Sequence, residues 1–251
     1  MKELKKQRNI KASVLIVNYK QNKDVISLLE QLSNLEGFEF LIFNNSPSSK
    51  LSLKNQNCEV FNHPKNIGYA AAVNYLATQA RGDYIFILNP DISIDNNLNV
   101  ALKEYKELPI NFAIYSLGKK EHLYSLPIFS RFLARYRFSS YAFLTSKSLF
   151  KSIGGFDIDF FMYFEDDDLS LRLKRLKLET YFPPKIYASH KKTYKNMIYQ
   201  ERKILYYTSL KMYLWKHTKL SFFIFYLPIQ IKMFLSEILN VTDKNKYARK
   251  I

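Results

Sequence analysis

The sequence predicts an α/β fold built on a mostly parallel sheet with helices on both faces. Apolar runs at Ala12–Asn18, 39–43, 58–61 and Tyr84–Leu88 are continuous and lack the in–out alternation of strands wetted on one side. Helical patterns fall between them, the order expected of βαβ units. The runs also close on polar residues, Asn18, Asn44 with Asn45, and Asn89 with Asp91. Ligands of such sheets bind beyond the carboxyl ends of the strands.

Taken in order, ASVLIVN at Ala12–Asn18 suits a buried strand. Asp24 is placed to cap a helix carrying Val25, Leu28, Leu29, Leu32 and Leu35, which Gly37 ends. The strand at 39–43 stops at the turn cluster Asn44-Asn45-Ser46-Pro47, and a third strand follows at 58–61. His63-Pro64-Lys65-Asn66-Ile67-Gly68-Tyr69 leads into an alanine-rich helix over 70–80, which Arg81-Gly82-Asp83 breaks before the fourth strand. Residues 111–140 read as irregular, with Gly118 and Pro127 among aromatic and basic residues. A strand at 141–145 and a short helix at 146–151 then lead into the glycine pair Gly154-Gly155. Residues 180–184 are extended up to Pro183-Pro184, and a strand at 186–190 places His190 at its end. No repeat or low-complexity linker interrupts the order, and a boundary is expected near 191–196.

The densest chemistry lies just after the glycine pair. An aromatic segment, Phe160 to Phe164, precedes four consecutive acids, Glu165, Asp166, Asp167 and Asp168. Leu169, Leu173 and Leu176 then recur at helical spacing, with Arg172, Lys174 and Arg175 on other faces. Acids favour helix N-termini because they complement the dipole, which accounts for one or two of the four. Adjacent carboxylates behind an apolar wall repel one another and are desolvated, which raises a carboxylate toward a pKa useful for catalysis. The run alone leaves a catalytic, a metal-binding and a purely structural role open.

Composition narrows the class. A chain of 251 residues with 47% hydrophobic and 16% aromatic content is globular, large enough for one substantial core or for one domain with an appendage. Its one cysteine, Cys58, excludes an intramolecular disulfide and a cysteine-rich metal site, and fits a reducing compartment. The apolar run at 14–17 that follows the basic residues 1–11 is too short for the apolar core of a signal peptide and runs straight into polar residues, so no signal peptide is expected. The formal net charge of +16 admits nucleic acid, an anionic membrane or a phosphorylated substrate. Residues 185–219 hold nine Lys/Arg against one acid, Glu201, with aromatics interleaved, and 220–235 turn strongly apolar. The uninterrupted part, 222–229, is shorter than a spanning helix of ~20 residues. A basic, aromatic, amphipathic end reads as lying on a membrane surface, and packing on the main domain or on a second subunit is the alternative.

The segments 13–19 (SVLIVNY), 43–46 (FNNS), 66–74 (NIGYAAAVN), 82–84 (GDY), 88–91 (LNPD), 154–157 (GGFD) and 161–173 resemble family 2 glycosyltransferases in order and spacing. The similarity is greatest to the rhamnosyltransferase-like branch, which makes bacterial O-antigen, lipopolysaccharide, capsule and related glycans. The resemblance covers about residues 12–195. It implies a GT-A fold, in which a Rossmann-like nucleotide-binding half is fused to an acceptor-binding half, with a C-terminal helical extension. On that division 12–91 is the nucleotide-sugar half and 92–195 the acceptor half of a domain spanning 1–195, and 196–251 is the extension.

The resemblance also implies inverting, Mg²⁺- or Mn²⁺-dependent transfer of a hexose such as rhamnose from a dTDP- or UDP-sugar to a glycan or lipid-linked acceptor. An enzyme of that kind is expected in the cytoplasm, on the inner face of the plasma membrane. By the same resemblance, Asp91 matches the last carboxylate of the DxD motif, and His190 the histidine that joins the metal site from the far side. Asp166 matches the catalytic base, with Glu165, Asp168 and Arg172 as acceptor-side or supporting residues. Asn18, Tyr19, Asn44 and Asn45 match the edge that holds base and ribose. Asn66, Gly68 and Asn89 lie where the chain approaches the nucleotide and its phosphates, and Lys65 reads as an exposed lysine. The basic, aromatic residues 119–138 are the expected acceptor loop.

Two positions depart from the family pattern. Asn44 stands where Asp is usual, and an amide both donates and accepts hydrogen bonds. Asn89-Pro90-Asp91 carries one carboxylate where DxD carries two, a variant common in that branch that should hold metal more weakly. Both departures favour the alternative of a non-catalytic GT-A-fold scaffold subunit, which the joint presence of Asp91, Asp166 and His190 disfavours. Nucleic acid is not an expected partner, because a polyanion would lie across the acidic run.

Overall fold

The structure, a computed structural model, describes residues 10–48, 50–53, 57–95, 97–118, 138, 140–191, 199–218 and 231. The expected acceptor loop at 119–138, except Phe138, and the apolar stretch 220–235, except Ile231, lie outside the described residues.

Four strands, β1 (Ala12–Asn18), β2 (Phe38–Asn44), β3 (Cys58–Asn62) and β4 (Tyr84–Leu88), are parallel to one another. With β6 (Phe112–Ser116), β7 (Ala142–Ser146) and β8 (Glu179–Tyr181) they form one sheet of order β3-β2-β1-β4-β7-β6-β8. Only β7 runs against its neighbours within this sheet. A separate ribbon pairs β5 (Ile92–Ile94) with β9 (Ala188–His190), antiparallel, so that Ile92 faces His190.

The continuous apolar runs are buried on both faces because helices cover both. On one side α1 (Asn22–Gln31) and α3 (Leu98–Glu107) place Val25, Leu28, Leu98 and Leu102 against Val14, Ile16, Phe40, Ile42 and Phe86. On the other, α2 (Tyr69–Gln79), α4 (Lys147–Ser152) and α5 (Glu165–Arg175) place Ala72, Val73, Phe150, Leu169 and Leu173 against Leu15, Leu41, Phe43, Ile85 and Ile87. Alternate residues of each strand thus feed separate cores, the pleat of a strand buried twice over.

The helix α6 (Tyr199–Thr218) forms a third cluster, in which Leu210, Tyr213 and Leu214 pack on Phe160 and Phe164. Residues 199–217 are therefore joined to the segment in front of the acidic helix. Among the described residues no helix is long and apolar enough to cross a membrane.

Several expectations shift. The first helix begins at Asn22, so Asp24 lies in its first turn and Gln21, not Asp24, is the N-cap; Leu32 and Leu35 fall past its end. Residues 111–140 are not uniformly irregular, because Phe112–Ser116 is a strand whose last four residues are buried. The region between Asp91 and 111, unassigned from sequence, holds β5 and α3.

One polar knot ties the amino ends of β1, β2 and β4. The Glu39 carboxylate is 2% exposed and accepts from the Ser13 hydroxyl at 2.5 Å, the Arg81 amide at 2.6 Å and the Arg81 guanidinium at 2.6 Å. Ser13 Oγ in turn accepts from the Gly82 amide at 2.9 Å. Removing a buried acceptor leaves its donors without partners, at a cost of roughly 1–3 kcal/mol. Glu39→Ala is therefore expected to lower the unfolding free energy by about 2 kcal/mol, measured by urea denaturation; an unchanged midpoint would show that the knot is dispensable.

Candidate active site

The carboxyl ends of β1, β2 and β4 gather the polar residues at one edge of the sheet. Strand order reverses there between β1 and β4, the position at which open α/β sheets leave a crevice. Asn18 and Asn44 are buried and spent on one another. Asn18 Nδ2 donates to Asn44 Oδ1 at 2.9 Å and to Asn22 Oδ1 at 2.7 Å, and Asn44 Nδ2 donates to Asn62 Oδ1 at 2.7 Å. This amide ladder pins three neighbouring strand ends. Tyr19, next in the chain, is half-exposed with Lys20 Nζ 5.2 Å from its ring centre.

Asn45 fastens the following loop. Its Oδ1 accepts from the Ile67 amide at 2.8 Å and its Nδ2 donates to the Gly68 carbonyl at 3.1 Å, while Asn66 Oδ1 accepts from the Gly68 amide at 3.0 Å. Lys65 is exposed. Gly68 has φ +85°, and a Cβ there would lie 2.6 Å from the Phe161 carbonyl oxygen. Only glycine permits that approach. It lets the Tyr69 amide donate to the Phe161 carbonyl at 2.7 Å, joining the first half of the chain to the segment before the acidic helix.

All four acids of that helix are buried, at 5% for Glu165, 2% for Asp166, 8% for Asp167 and 2% for Asp168. They do not share one environment. Asp168 accepts from Arg172 Nε at 2.8 Å and from His217 Nε2 at 2.8 Å. Burial pushes its carboxyl up, but the His217 hydrogen bond and the Arg172 charge outweigh burial and hold it below the usual value of 3.8. Arg172 also donates to the Ile153 carbonyl at 2.6 Å and the Gly155 carbonyl at 2.6 Å, so it grips the glycine turn. Gly154 and Gly155 both have positive φ, as that turn demands. Asp168 and Arg172 are thus supports. Asp166 Oδ1 accepts from the Asp167 amide at 2.9 Å.

Tyr69 draws the two halves together. Burial first, then the charges of Glu165, Asp166 and Asp91, hold its phenol far above the ordinary value, so the hydroxyl stays protonated among three carboxylates. It donates weakly to the Ser140 carbonyl at 3.4 Å. Asp91 from the N-P-D turn and Asp166 from α5 thus both act electrostatically on the Tyr69 phenol.

On the Asp91 side the β5–β9 ribbon sets His190 Nδ1 3.7 Å from Asp91 Oδ1, both side chains partly exposed. The Tyr141 ring centre lies 4.2 Å from that of His190. Asn89 Oδ1 is buried and makes no hydrogen bond. A carboxylate and an imidazole at this spacing, with an orphaned amide oxygen in the same turn, fit a hard divalent cation that completes its shell with phosphate oxygens and water. Among the described residues no three His, Cys, Asp or Glu side chains form a closed metal cage.

Sequence reading singled out neither Tyr69 nor Tyr141 nor His217. Tyr69 lies inside the quoted 66–74 motif, whereas Tyr141 and His217 stand in stretches with no motif at all.

The docking of α6 has a pH signature. Asp168 has a lowered folded pKa, so its contribution is complete above 3.8 and is lost as the pH falls through the folded value. Lys216 donates to Asp157 at 2.5 Å and Asp159 at 2.7 Å; burial lowers its pKa, but both carboxylates outweigh burial and raise it above 10.5. That contribution is complete below 10.5 and fades as the pH rises through the raised value. Emission from Trp215, the one tryptophan, should therefore stay constant between these limits and change beyond each. Asp168→Asn should shrink the acid step, and an unaltered acid step would exclude Asp168 as one of its sources.

Comparison with known proteins is consistent with this architecture. Residues 13–171 match the profile of the family described as Glycosyl transferase family 2. The hexosyltransferase Agl10 of low-salt glycan biosynthesis from Haloferax volcanii is 23% identical over 198 residues, 65% of this chain and 61% of its own. The mannosyltransferase PcManGT from Pyrobaculum calidifontis, solved with GDP-Man and Mn²⁺, superposes with a TM-score of 0.58 at 14% identity, over 78% of this chain and 60% of that one. TarS 1-349 from S. aureus, solved with UDP, gives 0.51 at 17% identity, over 71% and 59%. The chain thus spans about three fifths of the length of these relatives. The structural likeness establishes the GT-A fold.

Proposed function

The chain belongs to glycosyl transferase family 2, and on that premise we propose that it is an inverting, metal-dependent glycosyltransferase. It moves a hexose from a nucleoside-diphosphate sugar to a growing surface glycan. The observation that carries this reading is the Asp91–His190 pair, 3.7 Å apart beyond the strand ends, with the buried Asp166 at the start of α5 acting on the same Tyr69 phenol as Asp91. The GDP-Man and Mn²⁺ of the mannosyltransferase and the UDP of TarS support a nucleotide donor and a divalent cation. The rhamnosyltransferase-like motifs favour rhamnose or a similar hexose carried on dTDP or UDP.

In this reading Asp91 and His190 hold Mg²⁺ or Mn²⁺, which when bound supplies positive charge to the diphosphate and eases its departure. Asn89, whose side-chain oxygen is buried without a hydrogen bond, would supply a further oxygen from the same turn. Tyr19 offers the half-exposed face for the base, while Asn18, Asn44 and Asn45 shape that edge by fixing backbone, because their amides are engaged within the protein. Gly68 and Asn66 bring the chain close to the phosphates. Asp166 takes the proton from the acceptor hydroxyl as its oxygen bonds to the anomeric carbon. The bond from that carbon to the diphosphate breaks on the opposite face, and the diphosphate leaves with the electron pair. One base on one face is what single displacement requires. Tyr69, kept protonated, offers a hydrogen bond to charge within the cleft.

The acceptor in this proposal is lipid-linked. The basic C-terminal extension, 196–251, would rest on anionic lipid at the cytoplasmic face and present the site to the acceptor's phosphates.

The reading is tested by diphosphate release from a panel of dTDP-, UDP- and GDP-hexoses with Mn²⁺. One donor should react, and Asp166→Asn should slow that reaction about a hundredfold or more while calorimetry still detects the donor. Asp91→Ala should remove metal-dependent donor binding. An active Asp166→Asn enzyme would refute the base, and unchanged donor binding by Asp91→Ala would refute the metal ligand.

A further inference from the structure

The segment that delivers Asp166 is strained. Tyr163 and Phe164, immediately before α5, have φ values of 72° and 67°. Bulky residues adopt left-handed backbone only when their surroundings enforce it, and two in succession need strong enforcement. Of the surroundings, α6 supplies contacts along the whole segment from 157 to 168. At its start Lys216 bonds Asp157 and Asp159 and sits 5.4 Å from the Phe160 ring centre. In the middle the Ser209 hydroxyl donates to the Met162 carbonyl at 2.7 Å, the peptide just before the strained pair. The Tyr206 and Tyr213 rings lie 5.1 Å and 5.5 Å from that of Phe164. At its end His217, with its side chain 5% exposed, bonds Asp168.

The hydrogen bonding defines the His217 tautomer. Arg175 Nη2 lies 3.2 Å from His217 Nδ1, and a guanidinium only donates. Nδ1 therefore accepts, and Nε2 carries the hydrogen that it donates to Asp168. Asp168 in turn orients Arg172, which holds the glycine-turn carbonyls at 153 and 155. A chain of contacts runs from α6 through the acidic helix to the turn that introduces it.

We infer that α6 is a brace for the base-bearing segment, and that Ser209 and His217 are positioning residues which hold Asp166 in its working orientation by fixing Met162 and Asp168. The inference rests on the glycosyltransferase reading for its catalytic consequence, but the bracing itself does not depend on it. Misplacing a reacting group by about 1 Å costs roughly a hundredfold, so loosening this segment acts on turnover and spares the donor, which is held by the other half.

The test uses the full chain with Ser209→Ala, His217→Ala and His217→Gln, read by hydrogen exchange, steady-state kinetics and thermal melting. In the two alanine variants amide exchange over 163–168 should accelerate at least about tenfold while β1 and β4 keep their protection. kcat should fall about tenfold or more, with the KM for the donor nearly unchanged, beyond the modest drop in melting temperature that losing a buried hydrogen bond brings. Glutamine carries an amide N–H able to reach Asp168, so His217→Gln should recover most of the turnover. Unaltered exchange over 163–168 in both alanine variants would overturn the brace. So would a loss in which kcat, donor KM and melting temperature all move together and glutamine restores nothing, since that is ordinary fold support. A wild type silent toward every donor would instead sink the glycosyltransferase reading and the catalytic role of the brace, while the exchange measurement separately decides whether α6 braces.

Discussion

The site depends on a single backbone seam. At Gly68 the chain passes so close to Phe161 that no side chain fits, and the adjacent amide bonds the Phe161 carbonyl. That seam docks the loop leaving the parallel strands against the segment entering the acidic helix. Asp91 belongs to the first half and Asp166 to the second, and both act on the phenol of Tyr69, whose amide makes the seam. A second clamp works beside it. Asn74 on α2 bonds the Phe156 amide at 2.9 Å and the Phe156 carbonyl at 2.7 Å, next to the glycine turn that Arg172 grips from the other side.

The four acids illustrate how neighbours separate like groups. Asp168 is neutralised by Arg172 and His217 and serves as structure. Glu165 and Asp166, at the helix start, raise the Tyr69 phenol together with Asp91. Burial behind Phe160 and Phe164 is common to all, so the difference in role comes from which charges stand opposite. The strained entry at Tyr163 and Phe164 matters because it sets the path by which the backbone enters the helix that carries all four acids.

Much of this was legible in the sequence. The bounds of β1 and β4 coincide with their apolar runs, because a strand buried on both faces tolerates few polar residues until it ends. The acid run does open a helix, and His190 does fall beside Asp91. The strand Phe112–Ser116 was hidden because five residues after a proline carry too little pattern. The reversed direction of β7 was equally hidden, since a short apolar run reads the same both ways. Asn18 and Asn44 looked like ligand contacts because strand-end amides often are; that they satisfy each other depends on the alignment of β1 with β2, which places them side by side. Tyr69 and His217 depend on partners far along the chain, and no local pattern announces such partners.

The most direct measurement is anomalous diffraction from crystals soaked with Mn²⁺ and the reacting nucleotide sugar. The account predicts a manganese peak bonded to Asp91 and His190 and bridged by the diphosphate, with the Asp166 carboxylate facing the anomeric carbon from the side away from the leaving group. A manganese peak held by Glu165 to Asp168 instead, with the nucleotide away from the β1 and β4 strand ends, would contradict it.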